Sequence, residues 1–199
     1  MTLNFVRHGA TIANEKRLYC GFTDIPLSKA GKEGLCRLRS SLNYPSADIY
    51  VTSGMIRANE TLSILYGRTP DIVIDTFREF NFGDFEMKNH EELCSAAEYI
   101  RWLDNGCETA CPGGESREEF KNRLTAGITR LACLNAQSAV IVCHGGVIAD
   151  IMTLLFPDEK RHFYEWQPDF GRGYVIDVQW KNDCGNLNCI NCAVLCRKI

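Results

Sequence analysis

Two short blocks, Arg7-His8-Gly9 and His144-Gly145-Gly146, each close an apolar run, Leu3 to Val6 and Ala139 to Cys143. Strand ends of an α/β sheet are where ligands bind, so two histidines far apart in sequence can meet at one crevice, beside an arginine that is always cationic. Within the segment Arg7 to Asn14 a cation, an imidazole, a glycine that permits close backbone approach and an amide stand together. These are the donors a dianionic phosphoryl group needs, because phosphoryl transfer is catalysed mostly by positioning and by stabilising charge on the equatorial oxygens. Taken alone, Arg-His-Gly fits a structural histidine as well.

A second cation comes from Ser53 to Thr61, where Arg57 falls in the first turn of a helix whose amino end favours anions. The alternative is a solvated arginine paired with Glu60. A proton carrier comes from Phe77 to Glu86, where Glu79 stands among Phe77, Phe80, Phe82 and Phe85. Desolvation in such surroundings raises a carboxyl pKa and suits a general acid; a salt bridge to Arg78 or a surface lysine is the competing reading.

The elements that must position these groups read as an α/β alternation. Strand-type runs fall at 3–7, 47–52, 71–76, 138–143, 173–180 and 192–196, separated by amphipathic stretches. A helix opens at Ser28 with Leu35, Leu38 and Leu42 on one face, and another at Ser53 carries Ile56, Leu62 and Leu65. Glu115 to Leu134 is the longest expected helix, after the turn Pro112-Gly113-Gly114. A helix over Glu91 to Leu103 lies in a less regular excursion, 81–114, read as a cap over the site. Tyr174 to Trp180 and Cys192 to Leu195 read as a hairpin around a polar turn at 181–186. The expected fold is a three-layer α/β/α sandwich with a mixed, mainly parallel sheet and a small cap over the strand ends, in one domain spanning 1–199.

At 199 residues one core suffices, burying roughly 70% of the unfolded surface. A net charge of -3 argues against nonspecific nucleic-acid binding, so a small anionic substrate must be held by local cations. The apolar runs are too short to span a bilayer, and Arg7-His8 falls where the hydrophobic region of a signal peptide would be. Eleven cysteines, an odd number scattered through helix-like segments, read as reduced thiols in the cytoplasm. The oligomeric state is not readable.

The cysteines also offer two other chemistries. Cys111 to Arg117 fits the C-x5-R pattern of cysteine-dependent phosphatases, but the preceding Asn105 to Ala110 is no buried strand and Glu115 would point an acid into the anion loop. Cys184, Cys189, Cys192 and Cys196 are close enough to suggest zinc, although their gaps are irregular and strand alternation makes Cys192 and Cys196 ordinary small hydrophobes.

Six ordered blocks carry a resemblance: Arg7-His8-Gly9 with Asn14, Tyr19 to Ser28, Arg57-Ala58 with Thr61, Arg78-Glu79 with Phe82-Gly83, Pro112 to Ser116, and His144-Gly145-Gly146. Together they are similar to the histidine phosphatase superfamily, the phosphoglycerate mutase-like fold, over about residues 3 to 156, with Tyr19 to Ser28 closest to the α-ribazole phosphatase branch. The resemblance implies a metal-independent and cofactor-independent phosphomonoesterase acting on a small phosphorylated metabolite. His8 would attack phosphorus, Arg7, Arg57 and His144 would hold the transferring group, and Glu79 would protonate the leaving alkoxide and then activate water. Asn14 and the stretch Cys20-Gly21-Phe22-Thr23, with Gly145, would complete the contacts to substrate. α-Ribazole 5'-phosphate of cobalamin biosynthesis is the substrate the branch implies. The alternatives are a sugar-phosphate or phosphoglycerate phosphatase or mutase, and a catalytically idle phosphate-binding protein. Four positions depart from the usual pattern: Phe22 for tryptophan, Gly54 for proline, Met87 for the glycine of Glu-Gly, and Ala149 for arginine.

Overall fold

The computed structural model describes residues 1–180, 190–191 and 197–198. The expected strand at 192–196, the turn at 181–186 and the four cysteines of the tail lie outside the described residues. The described elements run β1 Thr2–Arg7, α1 Ile12–Glu15, α2 Lys29–Ser41, β2 Ile49–Thr52, α3 Ile56–Tyr66, β3 Ile72–Val73, α4 His90–Leu93 and α5 Ala97–Asp104. They continue with α6 Arg117–Ala132, β4 Ser138–Cys143, α7 Gly145–Leu155, α8 Phe163–Trp166, β5 Gly173–Asp177, β6 Gln179–Trp180, β7 Ile190–Asn191 and β8 Arg197–Lys198.

Six strands form one mixed sheet in the order β3-β2-β4-β1-β5-β8. The pairs β2·β3, β2·β4 and β1·β4 are parallel, and β5 closes antiparallel on β1. Because side chains alternate along a strand, each face receives its own set of apolar residues. Leu3, Phe5, Ala139, Ile141 and Cys143 pack in one cluster with Leu124 and Ile128 of α6 and Val147 and Ile151 of α7. Val6, Tyr50, Val140 and Val142 turn to the other face and pack with Leu35 of α2 and Ala58, Leu62 and Leu65 of α3. Helices on both faces of the sheet make the three layers that the alternating pattern implies.

The helix starts follow local chemistry. Ser28 accepts from Gly31 N at 3.0 Å and opens α2. Ser116 and Glu119 close a capping box on α6, the longest described helix at 16 residues. No helix among the described residues is long and apolar enough to cross a membrane.

Three expected elements come out differently. The run at 71–76 yields only the two residues of β3, followed by a 3₁₀ turn over Asp75–Phe77. β3 is the edge strand, and bending there sends Ile74 and Phe77 into the core instead of continuing an alternation that exposes Val73. The single helix at 91–103 is broken into α4 and α5. Leu93 and Tyr99 sit about 120° apart on a continuous helix at 100° per residue, and only a break lets both turn inward, where Leu93, Tyr99 and Trp102 are buried together. The run at 173–180 divides at Val178, whose N–H donates to Met1 O, so β5 stays in the main sheet and β6 pairs with β7.

Candidate active site

Four parallel strands deliver their carboxyl ends to one edge of the sheet. Arg7 is in register with Cys143, and His8 N donates to Cys143 O at 2.9 Å, so the residues that follow β1 and β4 are neighbours. The His8 and His144 rings stand 5.1 Å apart, centroid to centroid, in an edge-on arrangement. β2 lies on the other side of β4, so Ser53 and the first turn of α3, with Arg57, arrive beside His144. Glu79 follows β3 and its 3₁₀ turn. The sheet thus brings His8, Arg57, His144, Arg7 and Glu79 to one place from four separate segments, at the carboxyl-end crevice such sheets offer to ligands.

His8 is 5% exposed, and its Nδ1 lies 2.7 Å from Gly9 O. A carbonyl can only accept, so Nδ1 carries the proton and Nε2 keeps its lone pair. Burial, with Arg57 and Arg7 nearby, holds the imidazole well below the usual histidine range, against the pull of the Gly9 carbonyl. The ring is therefore neutral at physiological pH, the form that can act as a nucleophile. Gly9 N donates to Thr61 Oγ1, which ties the turn to α3.

Arg57 is 1% exposed and spends three of its five N–H donors on protein: Nε on His144 Nδ1 at 3.3 Å, Nη1 on Thr23 O at 3.0 Å and Nη2 on Gly21 O at 2.7 Å. Two donors remain for an anion. Because an arginine can only donate, His144 Nδ1 is unprotonated and Nε2–H faces Ser53 Oγ at 2.8 Å. Burial first, then Arg57, pushes the His144 pKa well below its ordinary value.

Glu79 caps the amino end of α7: its Oε2 accepts from Gly146 N at 2.8 Å and its Oε1 from Phe80 N at 2.9 Å. A side chain on Gly146 would collide with this carboxylate, which explains a glycine there. Arg123 holds the segment from beneath, donating to Thr76 O, Arg78 O and Glu79 O while its guanidinium is clasped by Glu115. Arg7 donates Nη1 to Pro168 O and lies 4.1 Å over the Phe170 ring, leaving its buried Nε–H without a partner. A Cβ on Gly145 would come within 3.0 Å of that Nε. An orphaned cationic donor beside the histidines is where an anion would be held.

The remaining expected contacts are placed as follows. Asn14 accepts from Thr11 N and Oγ1 through Oδ1 and lines an open cavity of about 600 Å³ with Arg7. Gly21 and Thr23 give their carbonyls to Arg57. The N–H groups of Phe22 and Thr23, and the Thr23 hydroxyl, all donate to the Glu86 carboxylate. Cys20 is half-buried, and burial raises its thiol above the ordinary value. Asp24 accepts from Ile56 N and pins the same loop to α3. Sequence reasoning passed over Ser53, Arg123 and Phe170, and named Glu86 only as an alternative acid, not as the group that holds Phe22 and Thr23. The signal for Glu86 was a carboxylate within the Phe-rich block.

A second cavity of about 280 Å³ adjoins Glu79 and Gly146 and is walled by Tyr19, Phe80, Phe82, Trp102, Phe120, Phe163 and Tyr164, with Arg117. It is the space next to the candidate acid. Two departures from the common pattern have backbone consequences. Gly54 adopts φ +83°, which proline cannot, and Met87 adopts φ +60°, the left-handed region that favours glycine. Ala149 is fully buried, and Phe22 is 38% exposed. In the C-x5-R segment, burial raises the Cys111 thiol to about 12, and Arg117 turns to Asp150 at 2.7 Å instead of wrapping an anion loop. That arrangement is unsuited to a thiolate nucleophile.

A sequence profile of the histidine phosphatase superfamily (branch 1) matches residues 3–193. The adenosylcobalamin/alpha-ribazole phosphatase of Escherichia coli (strain K12) is 29% identical over 186 residues, covering 91% of this chain and 92% of that protein. The Salmonella typhimurium protein of the same name is 30% identical, covering 89% and 91%. The solved structure of the alpha-ribazole phosphatase from Shigella flexneri superposes with a TM-score of 0.79 at 30% identity, covering 90% of this chain and 91% of that one.

Proposed function

The chain belongs to the histidine phosphatase superfamily, and on that premise we propose that it is a phosphomonoesterase working through a phosphohistidine on His8, with α-ribazole 5'-phosphate as its substrate. The observation that carries the chemistry is the neutral His8 ring, whose Nδ1–H is fixed on Gly9 O and whose Nε2 is left free between two arginines.

In this reading the ester phosphate sits against the free donors of Arg57 and the orphaned Nε–H of Arg7. His8 Nε2 forms a bond to phosphorus as the ester P–O bond breaks, and Glu79, in its acid form, gives its proton to the departing alkoxide. Glu79, now a carboxylate, takes a proton from water as the water oxygen attacks phosphorus and the P–N bond breaks, which returns His8 neutral and Glu79 protonated. The arginines stabilise the charge on the equatorial oxygens in both steps. Asn14, which lines a cavity with Arg7, would add a further donor.

Two things support the substrate. The relatives above carry that activity in their names. The cavity beside Glu79 is lined by aromatic rings, a surface suited to the flat base of a nucleoside. The segment 81–114 supplies Phe82, Trp102, Leu103 and Cys107 to this wall, which supports its reading as a cap. The described cysteines are unpaired, in keeping with a cytoplasmic enzyme.

The test is a panel of phosphate esters, including α-ribazole 5'-phosphate, ribose 5-phosphate and 3-phosphoglycerate, assayed with and without a chelator. α-Ribazole 5'-phosphate should give the highest kcat/KM, unchanged by the chelator. Preference for phosphoglycerate would move the enzyme to another substrate class of the family, and activity abolished by the chelator would remove the metal-independent mechanism.

A further inference from the structure

Arg117 and Asp150 are not used by the chemistry above, and their arrangement has a physical cost. Asp150 is 1% exposed, accepts from Arg117 Nη2 through Oδ1 at 2.7 Å, and leaves Oδ2 buried without a partner. Burial pushes its carboxyl up to about 6, against the pull of Arg117 and Lys121. A largely buried ion pair of this kind is weak evidence for net stability, because desolvation offsets the Coulombic gain. What the pair does here is hold a guanidinium at the wall of the aromatic cavity. Arg117 lines that cavity, lies 4.4 Å over the Phe163 ring, and has no other side-chain acceptor among the described residues. It is the only cation among the cavity's described lining residues.

The pair stands at the cavity that adjoins the candidate acid. Asp150 stands four residues beyond Gly146 on α7, about 6 Å along the helix axis. Gly146 holds Glu79, and Glu79 and Arg117 line the same cavity, so the free donors of Arg117 face the space beside the candidate acid. The walls around Arg117 are rings.

We infer that Arg117, held in place by Asp150, determines specificity by donating to an acceptor on the rim of a flat heteroaromatic ring carried by the phosphate ester. Arg117 touches the leaving group and Asp150 is its positioning residue. The inference rests on the phosphomonoesterase reading and deepens it, from a named substrate to the part of that substrate the chain selects.

Three esters with the same ribose 5-phosphate portion test it: α-ribazole 5'-phosphate, adenosine 5'-monophosphate and ribose 5-phosphate itself. Arg117→Lys keeps a charge opposite Asp150 and so protects folding, but loses the planar fork. The ratio of kcat/KM for the preferred ring-bearing ester to that for ribose 5-phosphate should fall about tenfold, through KM, the loss expected for one charged hydrogen bond. Asp150→Asn should shift the ratio in the same direction by less. An unchanged ratio, or a fall confined to kcat, overturns the inference.

If the wild-type protein hydrolyses adenosine 5'-monophosphate but not α-ribazole 5'-phosphate, the named substrate is wrong and the Arg117 ratio is still decided on the adenine ester. If it hydrolyses no ester, quenching of tryptophan fluorescence by free adenosine and free α-ribazole reads the contact without turnover. Binding weakened by Arg117→Lys then supports the inference, and binding unaffected or absent overturns it.

Discussion

His144 receives the Nε–H of Arg57 on Nδ1 at 3.3 Å and presents Nε2–H to Ser53 Oγ at 2.8 Å. Both nitrogens of the second histidine are thereby engaged with protein, and its first effect is to orient the guanidinium. Gly21 O and Thr23 O hold the other edge of Arg57, so the arginine is fixed on three sides and meets an anion without reorganising.

Replacing His144 with Ala leaves that Nε–H buried without an acceptor, and vanadate should bind about ten- to a hundredfold more weakly, the equivalent of roughly 1.5–3 kcal/mol. Ser53→Ala frees only one side of the imidazole and should weaken binding less. Inhibition constants for vanadate in the two variants decide this, and equal constants in all three proteins would separate Arg57 from its histidine.

The two buried imidazoles also set an acid limit on stability. Both are held neutral in the fold, below the ordinary value near 6.5 that they regain on unfolding. Above that value neither state binds a proton there; below it the unfolded chain does, so unfolding free energy falls as pH drops from about 6.5. Urea unfolding of wild type and His144→Asn between pH 7.5 and 5 should show a shallower decline in the variant. Parallel curves would mean that His144 does not titrate differently on folding.

Met87 holds φ +60° with its side chain 37% exposed, so little packing opposes its replacement. Left-handed backbone costs an L-residue about 1–2 kcal/mol, and the added chain entropy of glycine takes back about half to all of one. Met87→Gly should therefore raise the urea midpoint modestly, by no more than about 1.5 kcal/mol in free energy. A lower midpoint would show that the thioether packs more strongly than its exposure suggests.

The strand ends were readable because they combine two independent signals, an apolar run and an abrupt polar block. His8 after Leu3 to Val6 and His144 after Ala139 to Cys143 each show both, and parallel register then makes them neighbours. The groups that hold the site were not readable in the same way. Arg57 binds the carbonyls of Gly21 and Thr23, Arg123 binds those of Thr76, Arg78 and Glu79, and Glu86 binds the N–H groups of Phe22 and Thr23. A backbone acceptor is the same at every residue, so such contacts leave no trace in composition or spacing. The break between α4 and α5 was missed for a related reason: only the tertiary requirement to bury Leu93 and Tyr99 on one side opposes a continuous helix.

The proposed acid Glu79 must give up a proton, and Glu79→Gln keeps its shape and can still accept from Gly146 N, at the expense of the contact to Phe80 N, without that capacity. With an alkyl phosphate the rate should fall by about 10²–10⁴. With p-nitrophenyl phosphate, whose phenolate leaves unaided, formation of phosphohistidine should suffer much less and its hydrolysis should become rate-limiting. Rapid-quench traces of the first turnover separate the steps. Equal losses with both esters, with no accumulated phosphoenzyme, would assign the acid to another carboxylate such as Glu86.

The proposed covalent step on His8 is tested most directly by labelling. Brief reaction with a 32P-labelled substrate, quenched in base, should leave about one equivalent of label on the chain, stable to alkali and released by acid, as a phosphoramidate requires. His8→Ala should carry none and turn over no substrate, while Cys111→Ser should label as the wild type does. Label that persists in His8→Ala, or turnover that survives in it, would contradict the assignment of His8 as the nucleophile.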